Sequence, residues 1–444
     1  MKYSNLIVFL FLSSAYSQTE SIDCPIANDL FKSNDLSEAY AEIKKSSNLS
    51  VDCKYLAFKI LFKMEDFDES KLYLDQLLSE NPTNESYIAS SDLLLKVLQK
   101  YKSAKYTLDK VDILESISEF KLLLEDPYLS STSLFYSGLA LAYKKQDQKE
   151  SYSSMLNFEY LDLSVSNYQK AHAINSDKDY DKEILNISKF LTNLGKTSMK
   201  TDELESALKY FNKAIEYTPD YSTANFYLGS LYMKIQDYEL AAQSFQKGLG
   251  KAIKDGNPKI LYFLGQCNIK LGKNDLAVQY FKYAINKKIN YIKAEFALAN
   301  VYFSKQDYVN AEKYINQILN HDSSYIKAYE LLVNIFIEKN DYSAAEKFAL
   351  QGIEVNSKSY ILFSQLSVIE NENKNYPSAI EFSSKALSVK RNYGPALIEL
   401  AKSNVNLCNR AAADDAFKRA RSYDRRQVSK LQDWAIEHYK TVCK

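Results

Sequence analysis

The sequence predicts an all-α chain of paired helices, and three observations carry that prediction. Gly and Pro are scarce, 10 and 7 in 444 residues, so turns are short and helices many, which disfavours an all-β fold. Small and aromatic residues also recur in one order. "LG" stands at Leu194-Gly195, Leu228-Gly229 and Leu264-Gly265; each is followed by an alanine (Ala207, Ala241, Ala277), a ring (Phe211, Phe245, Phe281) and a small residue (Ala214, Gly248, Ala284). Weaker copies continue downstream through Ala299, Ala311 and Ile315, through Val333 and Ala345, through Ser367, Ala379 and Ala386, and through Ala401, Ala413, Phe417 and Ala420. The alanines 311, 345, 379 and 413 are 34 apart. A fixed period of this length marks two-helix units that bury their apolar faces on one another.

Glycine inside a helix costs about 1 kcal/mol relative to alanine. Its return at equivalent places therefore points to a close helix crossing. Gly229 is expected on the first helix of its unit with Ala241 as its counterpart on the second, and Leu228, Tyr232 and Phe245 are expected to fill the space around them.

This ladder of small and large residues resembles the tetratricopeptide repeat, with Pro219 at the place of that family's terminal proline. The resemblance covers residues 188–426 as seven units, starting near 188, 222, 258, 292, 326, 360 and 394. It implies an α-solenoid, a right-handed superhelix of helix-turn-helix hairpins whose stability sums unit and neighbour terms. One further unit fits residues 51–84 and contains Pro82. The rest of 18–187 is expected to be helical but degenerate, with an extended helix or an insertion over 144–187. "QVSKLQDWAIEHYKTV", Gln427 to Val442, reads as a C-terminal capping helix within 427–444, with Leu431, Trp434, Ala435 and Tyr439 inward.

The first 17 residues read as a signal peptide: Lys2, then "LIVFLFL" from Leu6 to Leu12, then small residues Ala15 and Ser17 before a cut between Ser17 and Gln18. With no second long apolar segment, no transmembrane span is expected after cleavage, and the chain is expected to be exported, to a periplasm or beyond the cell. The sequons at Asn48, Asn84 and Asn186 leave a eukaryotic secretory pathway open. The "YSQ" ending and the composition resemble envelope proteins of the Bacteroidetes group.

Five cysteines in an exported chain suggest disulfides with one left over. On the repeat fold, Cys408 falls in the turn of the last hairpin, and the capping helix brings Cys443 back beside it. Cys24 and Cys53 each precede a first-type helix in neighbouring hairpins and form the second expected pair. Cys267 reads as a small buried core residue.

Chemistry is hard to find. His172, His321 and His438 are far apart, with no cysteine at metal-ligand spacing, and no nucleophile, phosphate-loop or zinc-protease motif is present. Asp414 and Asp415 are adjacent on a helix and so diverge. The chain is therefore expected to be no enzyme and to need no metal or cofactor. Lys+Arg and Asp+Glu are both 56, so a general attraction to nucleic acid is not indicated.

In the family the concave groove is lined by fixed positions of the first helices. Carried onto this chain, those positions give a row of Lys259, Lys293 and Lys327, a row of Phe226, Tyr262 and Phe296, and a row of Gln266, Asn300 and Asn334. Lysines suit carboxylates, carboxamides suit an extended peptide backbone, and rings supply apolar area. The same residues also read as ordinary solvated groove positions. The family's carboxylate clamp is not carried over, because Lys and Asn do not fall together in its order.

The resemblance thus implies a non-enzymatic exported scaffold for proteins or an extended peptide, helping to assemble an envelope complex. The alternative is a surface protein that binds glycan or anionic lipid through the basic segment "KRARSYDRR", which with Arg391 and Arg410 holds all the arginines.

Overall fold

The computed structural model describes residues 24–126, 129–151, 158–176, 178–250 and 257–443. The expected signal peptide and its cleavage site lie outside them. Every described regular element is helical. No helix among the described residues is long and apolar enough to cross a membrane. The chain divides into two compact units, Met1–Ala224 and Asn225–Lys444.

The first unit holds α1 (Pro25–Lys32), α2 (Leu36–Ile43), α3 (Val51–Met64), α4 (Phe67–Glu80), α5 (Glu85–Lys110), α6 (Ile113–Leu123), α7 (Ser133–Ser151), α8 (Glu159–Ile174), α9 (Tyr180–Lys200) and α10 (Leu204–Tyr217). Helix α11 (Ser222–Lys234) spans the division. The second unit continues with α12 (Tyr238–Leu249), α13 (Pro258–Lys270), α14 (Asn274–Lys287), α15 (Ile292–Ser304), α16 (Tyr308–His321), α17 (Ile326–Glu338) and α18 (Tyr342–Val355). It ends with α19 (Tyr360–Glu372), α20 (Tyr376–Val389), α21 (Gly394–Asn406), α22 (Arg410–Ala420) and α23 (Arg425–Thr441). First helices therefore start at 222, 258, 292, 326, 360 and 394. The unit expected from 188 differs, because its first helix begins upstream at Tyr180.

Four hairpins close by one rule. Within two residues of the end of the first helix the backbone turns left-handed without glycine: φ is 60° at Glu65, 66° at Gln236, 60° at Gln306 and 58° at Asn340. The next residue is an aspartate whose carboxylate accepts a backbone N–H at the start of the second helix: Asp66 from Glu69, Asp237 from Leu240, Asp307 from Asn310, Asp341 from Ala344. Each left-handed residue costs roughly 1–2 kcal/mol, and the cap offsets about 1 kcal/mol of it by satisfying a donor the helix cannot.

The glycines mark where rings enter. A Cβ built on Gly195, Gly229 or Gly265 would lie under 3.0 Å from the ring of Phe211, Phe245 or Phe281. These rings are wholly buried. At Gly229 the missing Cβ makes room for Phe245 itself, rather than for Ala241. Gly138 repeats the device in an order the sequence reading missed: it stands on α7, and its ring, Phe120, comes from the preceding α6.

In the second unit each hairpin packs on the next, and first helices two apart also touch, from α13 with α15 through α19 with α21. This is an α-solenoid. In the first unit the regular stacking is interrupted at α5, which has 26 residues and at 1.5 Å per residue is about 39 Å long. Its first half, with Tyr87 and Leu94, packs against Phe58, Leu74 and Leu77. Its second half, with Val97, Ala104 and Leu108, packs against Ile117, Phe120, Phe135 and Leu139. One helix serves two hairpins. The turn after α3 thereby reaches α7 and α9. The Glu65 side chain, 1% exposed, accepts from the Ser133 hydroxyl at 2.8 Å and the Leu134 N–H at 2.9 Å, and pairs with Lys178. Ser133 in turn lies 2.6 Å from the Tyr180 hydroxyl.

Both ends carry a disulfide. Cys24 and Cys53 are joined with Cα atoms 5.9 Å apart, and Cys408 and Cys443 with Cα atoms 5.6 Å apart. Cys267 is free and buried, and burial pushes its thiol up to about 12. In the capping helix, Val428 and Ala435 are buried with Leu431 and Tyr439 packed against the same cluster. Trp434 corrects the expectation of an inward ring: it is exposed, at 38%. Residues 434 and 435 stand about 100° apart around a helix, so once Ala435 faces the core its neighbour cannot.

Candidate functional site

The first helices of the second unit place the candidate groove residues. Lys259, Lys293 and Lys327 fall in the first turns of α13, α15 and α17, and all three are exposed. Asn257 caps α13 by accepting from the Lys259 N–H at 2.9 Å. The Lys259 ammonium lies 4.5 Å from the centre of the Phe226 ring, a cation–π contact.

The aromatic row is not an open one. Phe226 packs at 5.6 Å on both Phe245 and Phe263. Tyr262 meets Phe281 at 5.9 Å and Tyr291 at 5.7 Å, and Phe296 meets Tyr325 at 5.6 Å. Each ring is half-buried and spends one face on its own core. The carboxamides are also engaged. Asn300 donates to the Phe296 carbonyl of its own helix at 2.8 Å, and Asn334 accepts from Gln365 at 2.6 Å. Gln266 is half-buried on α13. The structure thus brings Lys259 onto Phe226 and Asn334 onto Gln365, and spaces the remaining candidates along the helix layer.

Sequence reading missed a polar ladder further along that layer. Gln365 of α19 donates to the Glu330 carbonyl at 2.8 Å as well as to Asn334. Ser359 donates to the Glu330 carboxylate at 3.2 Å. Asn371 donates to the Glu399 carboxylate at 2.8 Å and accepts from Ser403 at 2.6 Å, while Lys402 also holds Glu399 at 2.8 Å. The available signal was a break in the row: Glu330 stands where the three preceding units have Phe226, Tyr262 and Phe296.

Burial pushes the Glu330 carboxyl up, opposed by the Ser359 hydroxyl and by Lys327. It does the same to Glu295, where only His321 opposes it. Glu295 is 4% exposed, and its second carboxylate oxygen has no hydrogen-bond partner among the described residues.

Among the described residues no group of His, Cys, Asp and Glu could hold a metal ion. His321 is an exposed residue ending α16, and His438 lies 5.4 Å from Trp434, ring to ring. The basic C-terminal segment is partly self-engaged. Arg419 donates to the Arg391 carbonyl at 2.8 Å and sits 3.7 Å from Asp415. Arg421 donates to Gln432 at 3.0 Å, and Arg410 sits 3.9 Å from Asp414.

Family models described as tetratricopeptide repeat match residues 192–258 and 258–286. No curated protein sequence matches the chain. Among solved structures, a tetratricopeptide repeat protein from Parabacteroides merdae is 16% identical with a TM-score of 0.48, over 56% of this chain and 99% of that one. The C-terminal part of a TPR repeat-containing protein from Cytophaga hutchinsonii is 16% identical with a TM-score of 0.45, over 56% and 98%. PilF of Pseudomonas aeruginosa is 13% identical with a TM-score of 0.41, over 48% and 95%. Likeness at this level carries no argument about partners. Residues 192–286 thus carry tetratricopeptide repeats, and the hairpins that follow repeat the same ladder of small and large residues.

Proposed function

We propose that the chain is a non-enzymatic, exported scaffold that binds a protein or an extended peptide on the first-helix layer of residues 222–406 and helps assemble a cell-envelope complex. One observation carries the reading. The first helices touch one another in sequence, and the same register position on three of them exposes Lys259, Lys293 and Lys327. Around these cations the layer offers half-buried rings and carboxamides, which suit an extended chain bearing carboxylates. Export to a periplasm or the cell exterior, or through a eukaryotic secretory pathway, is supported by the two cysteine pairs, because disulfides persist in oxidising compartments. The equal numbers of acidic and basic residues favour a protein partner over nucleic acid.

The alternative assigns binding of glycan or anionic lipid to the basic segment around Arg419 and Arg421, supported by four of the six arginines lying within residues 418–426. Affinity capture from the native envelope fraction separates the two. Lys293→Glu with Asn334→Ala should abolish capture under the first reading and leave it intact under the second. Arg419→Glu with Arg421→Glu should do the opposite.

A further inference from the structure

The C-terminal cap is seated lightly and clamped covalently. Helix α23 covers the end of the second unit with two buried side chains, Val428 and Ala435, and two half-buried ones, Leu431 and Tyr439, against a cluster that includes Val405 and Phe417. Its polar fit is incomplete. Neither the buried Tyr439 hydroxyl nor the buried His438 Nε2 has a hydrogen-bond partner among the described residues, and burying such a group unpaired is unfavourable.

Two ties hold α23 in this seat, the turn over residues 421–424 and the Cys408–Cys443 bridge. The turn is weakly enforced. No glycine or proline follows Pro395, and Arg421 already has a helical backbone, with φ −57° and ψ −31°. Arg421 through Asp424 are all exposed, and one exposed hydrogen bond, from Arg421 to Gln432 at 3.0 Å, spans the turn. The bridge is the stronger tie, and it is open to solvent on one side. Cys408 is exposed and Cys443 half-buried, whereas Cys53 of the other bridge is 4% exposed. Thiol–disulfide exchange requires a thiolate to reach a sulfur, so a small dithiol is expected to open the C-terminal bridge first.

We propose that α23 is an exchangeable cap. When the Cys408–Cys443 bridge is open, two copies of the chain trade α23 and form a swapped dimer, which reoxidation locks with two interchain Cys408–Cys443 bridges. The turn straightens, α22 runs on into α23, and the helix projects past the end of its own chain. That leaves the face around Val405 and Phe417 bare, and the segment shaped to cover it is α23 of the second copy. Exchange repeats contacts the chain already makes, which is a low-cost route to a dimer, and a short turn favours it. The proposal does not depend on what binds to residues 222–406.

The chemistry balances with a dithiol and oxidised glutathione. A thiolate of the dithiol attacks Sγ of Cys408, and Cys443 leaves and takes a proton. The second thiol of the reductant closes its own disulfide and releases Cys408. On reoxidation the same two electrons and two protons pass to oxidised glutathione, giving two reduced glutathiones.

The test mixes full chains of natural isotopic abundance with chains uniformly labelled with heavy nitrogen. A small dithiol opens the bridge, and oxidised glutathione closes it at high protein concentration. Mass spectrometry should find Cys408 of one label joined to Cys443 of the other, and a non-reducing gel should show a covalent dimer. Cys24–Cys53 bridges should stay within one label. Inserting Gly-Ser-Gly-Ser between Ser422 and Tyr423 lets α23 fold back on its own chain and should cut the mixed-label bridge by on the order of tenfold. Circular dichroism under the dithiol should show the helices retained. The proposal is overturned if no mixed-label Cys408–Cys443 bridge forms, if Cys24 joins Cys53 across labels as often, if the lengthened turn leaves the yield unchanged, or if the dithiol abolishes the helical signal.

Discussion

Glu65 and Lys178 are ion-paired across 113 residues of chain, with the Glu65 carboxylate buried. In a regular repeat array each unit touches only its neighbours. Here the turn after α3 reaches past α5 and α6 to the start of α7 and the approach to α9. Glu65 also accepts from the first-turn N–H of Leu134, where the helix dipole favours a negative charge. Removing Glu65 takes the acceptor from the Ser133 hydroxyl and the Leu134 N–H, and leaving a buried donor unsatisfied costs about 1–3 kcal/mol, while Lys178 stays partly in water. Glu65→Ala is therefore expected to lower unfolding stability by that order in chemical denaturation. Hydrogen exchange should rise around Ser133 and Tyr180. Unchanged exchange at those two places would count against the link.

Gly265 tests the ring-under-glycine crossing. A methyl there would meet the Phe281 ring, and overpacking of this kind costs about 1–3 kcal/mol. Gly265→Ala should destabilise by that amount despite alanine's better helix propensity. Adding Phe281→Leu should make the alanine less costly than it is alone, a coupling that a double-mutant cycle measures.

Glu295 gives a pH dependence with a definite sign. Its carboxyl is pushed up in the folded chain by burial, so the folded state binds its proton more tightly than the unfolded state does. Its contribution is fully present below the ordinary glutamate value and is lost as pH rises through the folded value. Glu295→Gln should thus raise stability at neutral pH, by roughly 1 kcal/mol. It should also flatten the melting-temperature profile through the mildly acidic range. A fall in stability at neutral pH would refute the assignment.

The terminal bridges enclose separations of 29 and 35 residues, and a closed loop of that size contributes about 3–4 kcal/mol on the chain-entropy model. Cys408→Ser with Cys443→Ser should therefore loosen α23, seen as faster hydrogen exchange in Arg425–Thr441 and little change near α13. Cys267 should resist alkylation in the native chain and react on unfolding, since it is buried and its thiol is pushed up.

Trp434 is the single tryptophan, so fluorescence reads it alone. Its exposure predicts red-shifted emission and ready quenching by acrylamide in the folded chain. Blue-shifted, protected emission would return the ring to the core.

What the sequence made legible follows from how strictly a residue's role repeats. The glycine–phenyl crossings returned three times in one order, so the ladder could be followed along the sequence and the units placed by their resemblance to the repeat family. The long α5 returned nowhere. Its apolar residues serve two different hairpins, and a pattern fitted to one partner misreads the other. At the cap, Trp434 and Ala435 both looked apolar, and only the burial of Val428 with Ala435 fixes which face turns inward. The groove rows were legible as residue types. Their engagement was not, because the ring of Phe226 or the amide of Asn334 is satisfied by residues 19 to 37 positions away.

The polar ladder sets limits on editing the chain. Between residues 258 and 324 adjoining hairpins share a cluster of rings and aliphatic groups, and one exposed ion pair, Lys305 with Asp275, crosses that seam. From Glu330 to Ser403, Gln365 is fastened to α17 and Asn371 to α21 by hydrogen bonds between specific partners. A deletion in that stretch would strand donors and acceptors with nothing equivalent to receive them. The C-terminal hairpins are thus keyed to one another in a fixed order.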